Sequence, residues 1–134
     1  MRFPRPDVVA LLVEALDSDS HAVSSGEDEF LDASAGPRSV LQVSSVPHGR
    51  YSRWSFRVRV TVTTFADGLV GAYDAHVELV DRLLNLNYLG TTNNWYVSSV
   101  LCEMEPENIT GQSAPSWDGQ ASTYELFIRH RGGE

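Results

Sequence analysis

Tyr51-Ser52-Arg53-Trp54-Ser55-Phe56-Arg57-Val58-Arg59-Val60-Thr61-Val62-Thr63-Thr64-Phe65 decides the fold class. β-Branched and aromatic residues dominate it, and the side chains of a strand alternate between two faces. Trp54, Phe56, Val58, Val60 and Val62 therefore share one face, while Arg53, Arg57, Arg59, Thr61 and Thr63 share the other. The first face belongs to a core; the second meets water or a partner. Upstream, Ser39 to Val46 reads as a strand, and Pro47-His48-Gly49-Arg50 as the turn that closes the two into a long hairpin.

Downstream, Asp67-Gly68 opens a helix that runs to about Leu86. Leu69, Tyr73, Val77, Val80, Leu83 and Leu84 recur at three- and four-residue spacing, which predicts an apolar stripe laid on the sheet, with Asp74, Glu78, Asp81 and Arg82 opposite. An earlier helix is expected from about Pro6 to Leu16, with Val8, Val9, Leu12, Ala15 and Leu16 as its apolar positions. A polar linker from Asn87 to Asn94 leads to a strand from Trp95 to about Glu105, and a last strand runs from Ser122 to His130. The stretches at about 18–37 and 106–121 read as loops. The order implies one α+β domain over residues 1–134, an antiparallel or mixed β-sheet with a long β-hairpin and two helices packed on one face.

Composition fits that picture. With 134 residues, 42% hydrophobic and 21% charged, the chain can bury one core and lacks the signature of disorder. A single cysteine, Cys102, excludes an intramolecular disulfide, a zinc ribbon and a CxxC motif, which points to a cytosolic compartment. Val8 to Val13 imitates a signal peptide, but Pro4, Pro6, Asp7 and Glu14 bracket it too closely, and no run approaches the ~20 apolar residues of a membrane span. The net charge of −8 argues against general nucleic-acid binding. Its distribution is uneven: residues 1–36 hold two Arg against eight acids, 37–65 hold five Arg and no acid, and 66–134 hold three Arg against ten acids.

Chemistry-bearing motifs are absent from the sequence. His21, His48, His76 and His130 are far apart, fall in no HxxxH or HExxH pattern and read as surface histidines, so neither metal nor cofactor is expected. There is no GxSxG elbow, P-loop or GxGxxG. Asp74 and Glu78 read as a hydrated helix face, and Cys102 as a small core residue of its strand. A small enzyme or ligand-binding domain would need scattered residues such as Tyr73, Asp74 and His76 to converge.

The charges offer a different use. Glu103, Glu105 and Glu107 alternate along one strand, as Arg57 and Arg59 do along the hairpin. They either pair across the sheet within one subunit or form basic and acidic patches on different edges, which would join copies head to tail into a ring. Arg53, Arg57, Arg59, Glu103 and Glu105 are thus the candidate subunit interface. Phe30 and Leu31, in the acidic stretch around Glu27-Asp28-Glu29, and Trp117 and Asp118, in the Pro/Gly-rich connection, are the candidate partner-docking positions.

Helix, strand, a long strand through Trp54 to Val62, an amphipathic helix of the type Tyr73-Asp74-Ala75-His76-Val77-Glu78-Leu79-Val80, then a strand, a loop through Pro106 and Pro115, and the closing Thr123 to Arg129 form a succession. That succession, over most of the chain, resembles the tail terminator proteins of long-tailed (siphovirus-type) bacteriophages. The resemblance is one of pattern and order. It implies a non-catalytic virion protein of the tail or neck, assembled in the host cytoplasm. Such a subunit forms a ring with itself, typically a hexamer, on the head-proximal end of the tail tube. It would stop polymerisation of the tail tube protein and join the tail to a head-completion or connector protein. DNA would pass through an acidic lumen without sequence readout. Another neck protein, a head-closure or tail-completion subunit, shares the same features.

Overall fold

The computed structural model describes residues 7–25, 36–45, 55–86, 94–109 and 118–131. Among them are two helices, α1 (Val8–Leu16) and α2 (Leu69–Leu84), and five strands: β1 (Ala22–Ser25), β2 (Arg38–Ser45), β3 (Ser55–Ala66), β4 (Trp95–Ile109) and β5 (Asp118–His130). The strands make one sheet of order β1-β2-β3-β5-β4. All neighbours are antiparallel except β1 and β2, so the sheet is mixed and the domain α+β.

β3 behaves as its alternation requires. Phe56, Val58, Val60, Val62, Thr64 and Ala66 are buried, and the residues between them are half-buried or exposed. β5 pairs with it along its whole length, and the register sets Ile128, Leu126, Tyr124, Ser122 and Gln120 beside the buried positions of β3. On the other side β2 pairs Leu41 with Val62 and Val43 with Val60. Trp54 and the turn expected at 47–50 lie outside the described residues.

Both helices cover this one face, α2 over β3 and β5 and α1 over β1 and β2. Asp7 caps α1 by accepting from the Ala10 N–H (3.2 Å), and Val8, Leu12 and Leu16 enter the core. Asp17 ends the helix, and its carboxylate then accepts from the Val23 N–H (2.8 Å), which ties the helix terminus to the edge strand. Gly68 opens α2 at φ +86°, a backbone that only glycine adopts without strain. At the far side Trp95 meets Phe56 edge-on at 5.3 Å between centroids and extends the core under β4.

Three expectations from the sequence change. The stretch at 18–37 contains β1, a four-residue strand parallel to β2, because Val23 has a place in the core beside Leu41. The connection at 106–121 is shorter, since β4 continues through Pro106 to Ile109 and β5 begins at Asp118; an edge strand tolerates proline because its outward N–H has no ladder partner to lose. The buried side of α2 is also rotated. Ala72, Ala75, His76, Leu79, Val80 and Leu83 face the sheet, whereas Leu69, Tyr73, Val77 and Leu84 are exposed. Small alanines let the helix approach the sheet closely, and spacing by itself does not choose between two overlapping apolar stripes.

Leu126 has no exposure and sits between β3 and β4 at the centre of the core. Leu126→Ala is expected to cost about 2–5 kcal/mol, read as a shift of the urea midpoint at unchanged slope; a change within ~0.5 kcal/mol would mean that the core is not packed around it.

Candidate functional site

Two groups of polar side chains stand out, one on each face of the sheet. On the open face, Arg59 donates from Nε to Glu103 Oε1 (2.6 Å) and from Nη2 to Glu103 Oε2 (3.1 Å), reaching across β5 to β4. This bidentate bond holds the Glu103 carboxyl below its usual range. Arg57 lies 3.4 Å from Glu125 and stacks over the Phe127 ring at 5.5 Å. Thr61 and Thr123 meet at 3.3 Å beside them.

Of the two arrangements the sequence allows, pairing within one subunit is the one found: Arg59 reaches Glu103 across β5 and Arg57 reaches Glu125 on the neighbouring strand, so these arginines do not form a basic patch apart from the acids. Nor do the three glutamates form one row. Bulges between Cys102 and Met104 and between Met104 and Glu107 break the alternation, and Glu103 is the one that meets Arg59. On the covered face, burial pushes the Tyr124 phenol up. Cys102, expected in the core, is exposed, since β4 runs beyond the cover of the helices. Arg53, Phe30, Leu31 and Trp117 lie outside the described residues. Asp118 opens β5 opposite Ala66.

The covered face holds what sequence reading missed. His21 Nε2 meets Ser39 Oγ (2.7 Å), Ser39 Oγ meets Thr64 Oγ1 (2.6 Å), Thr64 Oγ1 meets His76 Nδ1 (2.7 Å), and His76 Nε2 meets Ser122 Oγ (2.6 Å). All five residues are buried. The chain crosses from the turn before β1 through β2, β3 and α2 to β5. Gln120, one residue pair further along β5, donates to Asn108 of β4. His21 and His76 are thus core residues, not surface histidines. The available signal was the polar break in otherwise apolar strand faces at Ser39, Thr64 and Ser122, which falls at adjacent register positions only once the sheet is assembled.

Burial lowers both imidazoles. His76, with no exposed surface, goes down to about 4, aided by the charge of His21. His21 is lowered first by burial, with Glu78 raising it, Arg82 lowering it and Asp17 raising it. Such an arrangement suits a neutral structural network. It does not present a reacting atom, because His76 is sealed while Tyr73 and Asp74 lie on the exposed side of α2. Among the described residues no group of three or more His, Cys, Asp or Glu could hold a metal ion, and no helix is long and apolar enough to cross a membrane.

A third feature is apolar. Leu69, Val70, Tyr73, Val77 and Leu84 are between 41% and 74% exposed and share one flank of α2; Leu101 and Met104 are exposed on β4. Asp74 and Asp81 border the flank of α2, both exposed.

Two outcomes are expected. An imidazole whose folded pKa is depressed binds its proton more readily in the unfolded chain, so stability is highest above about pH 6.5 and falls toward about pH 4, by on the order of 3 kcal/mol for His76; urea midpoints measured across that window should decline, and a flat profile would contradict the buried neutral ring. Arg59→Glu sets like charges beside Glu103 and Glu125 and should lower the thermal midpoint, while the swap Arg59→Glu with Glu103→Arg should recover most of the loss. Compared with known proteins, the chain matches no family model and no curated protein significantly.

Proposed function

We propose that this protein is a ring-forming structural subunit of the phage neck, the tail terminator that caps the head-proximal end of the tail tube, and that its subunit contact is made by the exposed flank of α2. The observation that carries the reading is the flank itself. Five large apolar residues lie open on one helix whose other side is already fully engaged with the sheet. Scattered exposed apolar residues need no explanation, but a contiguous group marks a contact surface. The order of elements read in the sequence supports the specific assignment, and the internally paired arginines of the open face leave that face as a rigid brace rather than a free basic patch.

The mechanism is capping. Copies close through heterologous contacts into a ring; one face of the ring matches the last ring of tail tube protein, and the other meets the head-completion protein instead of templating another turn. An acidic subunit keeps DNA from adhering to the lumen as it passes.

Light scattering over a concentration series, with and without purified tail tube protein, is the direct test. A closed ring in the wild type is expected, with Tyr73→Glu plus Val77→Glu giving a folded monomer that no longer arrests tube growth. Rings that survive this double substitution would remove α2 as the contact, and a wild type that neither closes nor arrests tube growth would remove the terminator assignment.

A further inference from the structure

We infer that the His21–Ser39–Thr64–His76–Ser122 chain is a one-proton catch, a pH-responsive device that holds α2 and the β1 turn against the sheet with neither or one imidazole charged and parts at the His21–Ser39 link when both are charged.

Each hydroxyl has one hydrogen, and a neutral imidazole has one N–H and one acceptor nitrogen. With both rings neutral, the chain can run in either direction, from His21 N–H through Ser39 and Thr64 to His76 Nδ1, or from His76 Nδ1–H through Thr64 and Ser39 to His21 Nε2. A proton on either ring is accommodated by choosing the direction that leads away from it. A charged His21 donates to Ser39, Ser39 to Thr64, Thr64 to His76 Nδ1, and His76 Nε2–H to Ser122. A charged His76 donates to both Thr64 and Ser122, and the direction between the hydroxyls reverses.

Two protons cannot be accommodated. Both rings would then donate inward, to Ser39 and to Thr64. Only one of the two hydroxyl hydrogens fits between those oxygens, 2.6 Å apart, and the other is left with no acceptor in the chain. The protonation of one ring is therefore communicated to the other through three hydrogen bonds.

The geometry also decides which link yields. His76 is held on both nitrogens, by Thr64 and Ser122, and has no exposed surface. His21 has one chain bond and sits on a turn closed by its own backbone pair with Ser18 (3.1 and 3.2 Å). The charged groups near it are Glu78 and Arg82 from α2 and Asp17 from the end of α1, while His76 faces His21. A charged His21 that leaves Ser39 thus has two carboxylates to meet. With a four-residue ladder to β2, the Ala22–Pro37 and Asp17–Val23 bonds and one core side chain, Val23, β1 is the least anchored strand once His21 has gone, so the edge of the sheet opens there while β2 to β4 stay paired. The device is independent of what docks on α2.

Imidazole nitrogen NMR on the full chain, titrated from about pH 8 to about pH 4, tests this. As His21 takes its proton, His76 should settle as the Nε2–H tautomer, and the second proton should arrive together with loss of amide protection over residues 21–25. Both rings charged with those amides still protected, or a Nδ1–H tautomer of His76 beside a charged His21, would overturn the inference. Ser39→Ala should abolish the response of the His76 nitrogens to the His21 titration, and Ser122→Ala should keep it. A response that survives Ser39→Ala would show coupling through space and overturn the catch; if that variant does not fold, the wild-type tautomer decides.

Discussion

The ladder between β3 and β5 pairs twelve residues without a bulge, and both strands present a dry face on the same side. A strand at the middle of a sheet with one face buried cannot slip by one residue without turning its whole apolar set to water. The register of β3 is for that reason fixed along its length, and the placement of everything else follows from it. α2 leaves the end of β3 through Gly68 and can only fold back over β3 and β5. β2 is set by its own pairing to β3, β1 by β2, and α1 by the space left above those two.

Among the described residues a band of hydroxyls and imidazoles, with the Gln120 amide beside it, runs through this otherwise mostly apolar core. Buried polar groups are tolerated when all are satisfied, and here each member finds a partner on a different element. The consequence is specificity of assembly: apolar contacts would tolerate a rotated α2, whereas His76 reaches both Thr64 and Ser122 in one rotation only. That same requirement explains why the residues facing the sheet with His76 are Ala72, Ala75, Leu79, Val80 and Leu83, and why the Leu69, Tyr73, Val77 stripe is turned outward. The polar network and the exposed apolar flank are two results of one helix orientation.

The open face has a different character. Its ion pairs are exposed and span three strands, so they contribute more to keeping β4 aligned with β5 and β3 than to net stability. β4 needs such alignment, because it is a fifteen-residue edge strand with three irregularities in its register. Bulges, glutamates and Pro106 are also what discourages a free edge from pairing with another chain. Under the proposed assembly, contact through α2 is accordingly favoured over sheet extension through β4.

Much of the fold is local information. The two-residue period of β3, the hairpin partner in β2, the amphipathic α2 and the closing strand are all legible because each is a regular pattern within one segment, and the α+β class with both helices on one face follows from their order. What the sequence leaves open is whatever depends on which strand lies beside which. β3 lies between β2 and β5, with β4 beyond β5, and this order turns Arg59 and Glu103 into partners within the chain and brings Ser39, Thr64 and Ser122 into line with His76. β1 was hidden because a four-residue parallel strand is defined by the gap it fills beside β2 rather than by its own pattern. Periodicity determines which side chains share a face; only the packed sheet, through registers between segments as far apart as β3 and β5, determines which of those faces meet.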